Sequence, residues 1–167
     1  ASHIRFRERF EKYGLQEFAF SASYGMAETT FAVTQTPPNK ALVTITVDRD
    51  ALANGKVIEY SGSEKPTRIC VSCGQPIRGC NVKIVDEKRE QLPDGVVGEL
   101  AVTSLSIFDG YRNYPEKTAE VYDGEWYYTG DYGFIYQGEY YIIGRKKDII
   151  IVAGKNIYPE DIEDAVT

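Results

Sequence analysis

The sequence predicts a mixed, α+β chain in which a β-rich distorted barrel or sandwich is attached to the last helix–strand unit of a doubly wound α/β domain. Three observations predict it. A helical pattern at the start is followed at once by a short apolar run. From residue 68 to 145, short apolar segments alternate with turn dipeptides, as strands do. A charged joint then precedes a fresh apolar run, as where a new unit opens. These features divide the 167 residues into 1–33, the end of the α/β unit, 34–67, an inserted connection, 68–147, the β-rich subdomain, and 148–167, a hinge with the start of a further domain.

Residues 3–13 fit a helix with Phe6, Phe10 and Tyr13 on one face and Gly14 suited to end it. Phe18 to Tyr24 reads as a short buried strand that delivers Tyr24-Gly25-Met26-Ala27-Glu28 at its C-terminal edge, where ligands of open α/β sheets gather. Pro37-Pro38-Asn39 marks a turn into a strand through Leu42, Val43, Ile45 and Val47. Asp48 to Leu52 suits a helical turn, and residues 55–65 are polar and loop-like. Gln75-Pro76, Pro93-Asp94-Gly95, Asp123-Gly124 and Gln137-Gly138 punctuate the strands that follow, and the last predicts a tight hairpin. Pro115 to Val121 suits a brief helix, with proline at its first position and Glu116 near its positive end. After Asp148, Ile149 to Val152 reads as a strand and Gly154 permits a turn. Pro159, Glu160 and Asp161 then open a helix with Ile162 and Val166 four apart.

Composition narrows the partners. A net charge of −6, from 19 basic and 25 acidic residues, argues against nucleic acid or an anionic membrane, which would want a basic face. No apolar run approaches the roughly 18 residues that cross a bilayer, and no signal-peptide profile opens the chain, so a cytoplasmic protein without a membrane span is expected. Three cysteines make no disulfide framework. Cys70 and Cys73, three apart, would project to opposite faces of a strand, which favours buried apolar roles over a metal or redox pair. Ten of the thirteen tyrosines fall between Tyr111 and Tyr158, where strand alternation favours core and rim packing over a base-stacking surface. Glu87-Lys88-Arg89-Glu90 suits a solvated turn. The chain opens on Ala1 without a methionine, and Asp164 to Thr167 fall inside an apparent helix, so a piece of a longer protein is expected.

The chemistry concentrates between Tyr127 and Glu163. Asp131 is expected in a strand-to-strand turn, Arg145 where a hairpin ends, and Lys146-Lys147-Asp148 in a charged joint. A carboxylate can accept from two neighbouring sugar hydroxyls, and a guanidinium can donate to a ribose oxygen or phosphate. A flexible joint after that arginine would let the next unit pivot over a bound nucleotide.

Tyr128-Thr129-Gly130-Asp131, Gly144-Arg145-Lys146-Lys147-Asp148, Gly154 and Pro159-Glu160-Asp161-Ile162-Glu163 stand in order behind Tyr24-Gly25-Met26-Ala27-Glu28-Thr29-Thr30. In these motifs the chain resembles the adenylate-forming superfamily of acyl-CoA synthetases, fatty acyl-AMP ligases and peptide-synthetase adenylation domains. The resemblance implies ATP and Mg2+, with a carboxylate substrate joined to the α-phosphate. It implies that Glu28 is the metal ligand and a catalytic residue, and that Tyr24, with Gly25 and Thr29, belongs to the nucleotide-binding segment, its ring against adenine. Asp131 would accept the ribose hydroxyls, Arg145 would assist there in catalysis, Ile143 would neighbour the nucleotide, and Asp148 would be the hinge. Ala27 stands where the family often has threonine, so a phosphate contact from that side chain is not implied, and Thr29 or Thr30 is left to supply a hydroxyl.

About forty residues separate Thr30 from the Cys73-Gly74-Gln75-Pro76 segment. An insertion of that kind, Val71 to Gly74 after it, and Asn156-Ile157-Tyr158-Pro159 beyond the hinge resemble fatty acyl-AMP ligases in particular. In them the insertion holds the domains in the adenylating arrangement and disfavours CoA, so a fatty acid substrate and an acyl carrier protein are the implied partners. A long-chain acyl-CoA synthetase, using CoA, is the alternative. A non-catalytic β-rich interaction module is a second one, and the isolated segment is expected to be inactive, with at most weak nucleotide affinity.

Overall fold

A computed structural model describes residues 2–62, 64–152, 155–159 and 162. Helix α1 (Ser2–Phe10) tightens into a 3₁₀ turn through Tyr13 and stops at Gly14, whose φ of 87° suits glycine. The strand expected over Phe18 to Tyr24 is shorter and later. A 3₁₀ turn occupies Glu17–Ala19, and only Ser23–Gly25 forms a strand, β1. The Met26 N–H donates to the Phe31 carbonyl at 2.8 Å, which folds the chain straight back so that β1 pairs antiparallel with β2 (Ala32–Gln35).

Further on, β3 (Thr44–Asp48) runs into α2 (Arg49–Ala53) and returns as β4 (Thr67–Val71) in an antiparallel pair. Asp48 ends the strand and caps the helix. One of its carboxylate oxygens accepts from the Ala51 N–H and the other from Lys65, each at 2.9 Å. Short β5 (Gln75–Pro76) joins β2, completing a three-stranded sheet.

The largest sheet is antiparallel, in the order β6 (Cys80–Val85), β7 (Gly98–Ser104), β8 (Tyr127–Tyr136) and β9 (Glu139–Arg145), with α3 (Pro115–Val121) between β7 and β8. Gln137 and Gly138 both take positive φ, 51° and 78°, which is the two-residue hairpin turn their sequence predicts. Alternation along β8 and β9 gives the sheet two apolar faces. Ile135, Tyr140 and Ile142 join Val82, Ile84, Leu100, Val102 and Val33 on one face. Phe134, Tyr141 and Ile143 join Ile45, Val47, Leu52, Cys70 and Tyr158 on the other.

Beyond the joint, β10 (Ile150–Val152) pairs with β11 (Lys155–Ile157), a strand that polar Lys155 and Asn156 did not announce. Gly154, Glu160, Asp161, Glu163 and Val166 lie outside the described residues. Among the described residues the architecture is therefore mixed α/β with four separate sheets, whose strands form neither a closed barrel nor a clear two-sheet sandwich. Among the described residues no disulfide joins Cys70, Cys73 or Cys80. Among the described residues no helix is long and apolar enough to cross a membrane.

Candidate functional site

Asp131 does not sit in a turn between strands. It lies inside β8, where residues 129–131 stand opposite the single residue Leu100 of β7, between the pairs Ala101↔Tyr128 and Glu99↔Tyr132. Gly130 supplies the positive φ of 73° that such a bulge needs. The Thr129 hydroxyl closes the bulge, donating to the Leu100 carbonyl and accepting from the Asp131 N–H, both at 3.0 Å. Glu99 holds it from the neighbouring strand. One of its carboxylate oxygens accepts from the Gly130 N–H at 3.0 Å and the other from Lys146 at 3.3 Å, so the bulge and the charged joint share one anchor.

Bulges re-aim side chains, and this one aims Asp131 at two partners. Its Oδ1 accepts from Arg145 Nε at 3.0 Å, directly across the β8–β9 pair, and its Oδ2 accepts from the Tyr24 hydroxyl at 2.6 Å. Asp131 is buried while Arg145 is more than half exposed, which leaves most of the guanidinium's donors open to a ligand. Burial first, and then the bond to Asp131, push the Tyr24 hydroxyl well above its usual range, so it stays a neutral donor.

Glu28 reaches the same region from the turn after β1. Its Oε1 accepts from the Tyr111 hydroxyl at 2.9 Å, and the Tyr111 and Tyr127 hydroxyls lie 3.0 Å apart. Tyr111 is raised by burial above all, and it feels both the Glu28 carboxylate and the Arg145 charge. Tyr24 and Glu28, early in the chain, are thus brought to one neighbourhood with Asp131 and Arg145, more than a hundred positions later. Two hollows open beside it. One of about 320 Å3 is lined by Thr129, Gly130, Arg145, Lys146 and Lys147. Another of about 390 Å3 is lined in part by Gly25, Met26, Ala27 and Thr30. Both fall in the lower part of the range of small-molecule pockets, about 300–1,000 Å3.

The other expected residues are placed differently. Gly25 is required by its own turn, since a Cβ there would lie 2.0 Å from the Phe31 carbonyl oxygen. Thr29 is buried, and its hydroxyl donates to the Met26 carbonyl at 3.2 Å, so that hydroxyl is turned inward. Thr30 is exposed, with an unusual φ of 72°. Ile143 is only 2% exposed and packs in the core beneath the site, so its side chain is not among those gathered. Asp148 is exposed and ends the 3₁₀ turn Lys146–Asp148. The sequence marks Tyr111 and Tyr127 only as packing tyrosines and does not mark Glu99 at all. A tyrosine assigned to packing carries no sign that its hydroxyl reaches a carboxylate 83 positions away.

Residues 3–112 match the family model described as AMP-binding enzyme. The long-chain-fatty-acid–AMP ligase FadD32 of Mycolicibacterium smegmatis is 35% identical over 178 residues, covering 95% of this chain and 28% of that protein. The medium-chain-fatty-acid–[acyl-carrier-protein] ligase JamA of Moorena producens is 38% identical over 166 residues, covering 92% of this chain and 28% of that protein. A solved structure from work on fatty acyl-adenylate ligases of E. coli and L. pneumophila matches with a TM-score of 0.90 at 30% identity, over 98% of this chain and 30% of that one. The chain thus spans about three tenths of the length of the relatives it matches.

Proposed function

Because this chain belongs to the AMP-binding enzyme family, we propose that the whole protein activates a fatty acid with ATP and that this segment supplies much of the nucleotide-facing surface. A carboxylate oxygen of the acid bonds to the α-phosphorus of ATP, the bond to pyrophosphate breaks, and an acyl adenylate results. The observation that carries the reading is the Tyr24–Asp131–Arg145 cluster with Glu28 beside it.

In this reading Asp131 accepts the ribose hydroxyls on the lone pairs that Tyr24 and Arg145 leave over. Arg145 donates to the ribose or phosphate with its remaining N–H groups, and the Tyr24 ring lies against adenine. Gly25 lets the chain turn tightly there, and Thr29 braces that turn from inside. Ile143 supports the site from the core, and Asp148 is the pivot.

The donor chemistry fits Mg2+. Glu28 offers an anionic oxygen, Tyr111 occupies its Oε1, and no cluster of three or more metal-type side chains occurs among the described residues. Magnesium needs no such cluster, because it keeps waters and substrate phosphates as ligands. When bound, it neutralises charge building on the phosphates.

The acceptor in this reading is an acyl carrier protein. The similarity to JamA, an acyl-carrier-protein ligase, supports it, and so does the packing of residues 34–67. Ile45, Val47 and Leu52 bury Tyr158 from beyond the joint, and Lys155 lies 3.9 Å from Asp50. Residues 34–67 would thereby resist rotation of the unit from 148 to 167 against 1–33 and 68–147. The alternative is a long-chain acyl-CoA synthetase. In the whole protein the four sheets would complete a distorted barrel against the α/β unit.

Fatty-acid-dependent ATP–pyrophosphate exchange by the whole protein tests the activity, and exchange is expected. No exchange across medium and long chain lengths would overturn it, and abundant acyl-CoA formed when CoA is added would favour the alternative acceptor. This segment alone is expected to give no exchange.

A further inference from the structure

Resting on the reading of Glu28 as a metal ligand, we propose that Tyr111 is a positioning residue for it. With Tyr127 behind it, Tyr111 would hold the Glu28 carboxylate by Oε1 so that the second oxygen points to the metal. Tyr111 belongs to the loop between β7 and α3, and that loop is pinned to the Glu28 turn by main-chain contacts. The Phe108 N–H donates to the Glu28 carbonyl at 2.7 Å, and the Ser106 hydroxyl donates to the Thr29 carbonyl at 2.9 Å. Its other side is tied to α3, where the Tyr111 N–H donates to the Thr118 hydroxyl at 2.9 Å. The Phe108 ring meets Tyr111 at 4.9 Å and Tyr127 at 5.7 Å, both edge-on, which fixes where the two hydroxyls stand.

The direction of the chain of hydroxyls follows from what each group can do. An ionised carboxylate only accepts, so the Tyr111 proton is committed to Glu28 Oε1 and the Tyr111 oxygen is left to accept from Tyr127. Tyr127 is 4% exposed, so this support is shielded from water and from competing partners. A tyrosine present for packing alone would lose nothing on becoming phenylalanine. A tyrosine that orients a ligand loses its grip on the carboxylate while keeping its ring contacts, and partners of metal ligands typically affect metal affinity about 10-fold or more.

The test uses the whole protein, Mn2+ as a paramagnetic stand-in for Mg2+, and α,β-methylene-ATP, which cannot be cleaved at the reacting bond. Mn2+ affinity is read by electron paramagnetic resonance. Tyr111→Phe is expected to weaken Mn2+ binding about 10-fold and to raise the Mg2+ requirement of exchange, with the KM for fatty acid unchanged. Tyr127→Phe is expected to give a smaller loss, and it is read in the same way if Tyr111→Phe does not fold. Unchanged Mn2+ affinity in the folded variant, with Glu28→Gln weakened, overturns the positioning role and leaves Glu28 a ligand. Unchanged affinity in Glu28→Gln as well overturns the metal reading itself.

Discussion

At the open end of the β8–β9 hairpin, Asp131 meets Arg145 through a 3.0 Å hydrogen bond. Three residues further along β8, Phe134 meets Tyr141 as stacked rings 4.8 Å apart. The same two strands carry both pairs, and different forces hold them. The open end depends on direction, since its bulge, its buried carboxylate and its exposed guanidinium each need a particular partner at a particular distance. The body depends chiefly on area, with Phe134, Tyr141 and Ile143 packed against Ile45, Val47, Leu52 and Tyr158. A rigid apolar body therefore lets the polar end keep a carboxylate buried and a cation half free. Substitutions in the body should cost stability, and those at the end should cost function.

The largest effect tests the body. Tyr158→Ala removes a ring that is 1% exposed. It should lower stability by about 3–5 kcal/mol, the usual cost of deleting a buried aromatic, read as a shift in the denaturant midpoint. A shift no larger than that of a surface substitution would break the contrast. Next, Asp131→Asn keeps the shape but weakens two charge-assisted bonds. It should lower kcat/KM for ATP by about 100-fold, or roughly 2.7 kcal/mol, with stability down by about 1 kcal/mol. A variant that lost stability and kept its kinetics would reverse the assignment.

The smallest effect spans both regions. Tyr24 at the polar end is held above its usual range by burial and by Asp131, and Tyr141 in the body is pushed up to about 12, mainly by burial. Unfolded tyrosines titrate near pH 10, so below that both states keep their protons and the contribution is intact. Above it the unfolded chain releases protons that the folded chain retains, and stability falls as pH rises. Alkaline unfolding should therefore set in above about pH 10, and Tyr24→Phe or Tyr141→Phe should each flatten the fall. A flat stability profile between pH 10 and 12 would count against both burials.

What the sequence made legible follows the same division. Asp131, Arg145, Tyr24 and Glu28 stood out because the motifs that hold them resemble those of adenylate-forming enzymes, and Gln137-Gly138 located the hairpin that pairs two of them. The bulge was hidden. Thr-Gly-Asp suits a turn as well as a bulge, and only the pairing with Leu100 on another strand decides between them. Alternation along β9 placed Ile143 on a face without saying which face, and Ile45, Val47 and Leu52, which pack with it, are remote in sequence. Tyr111 was hidden for a further reason. Its ring packs as expected, and its role lies in one hydroxyl whose partner is set by a loop with no periodic pattern.

The proposed role of Asp131, as ribose acceptor of a nucleotide site shared with Tyr24, Arg145 and Glu28, is open to a single decisive measurement. In a crystal structure of the whole protein with a non-hydrolysable acyl-adenylate analogue, the ribose hydroxyls are expected at hydrogen-bond distance, about 2.6–3.2 Å, from the Asp131 carboxylate, with the phosphate mimic on the Glu28 side. A ribose bound elsewhere, with Asp131 still engaged only by Tyr24 and Arg145, would refute that role.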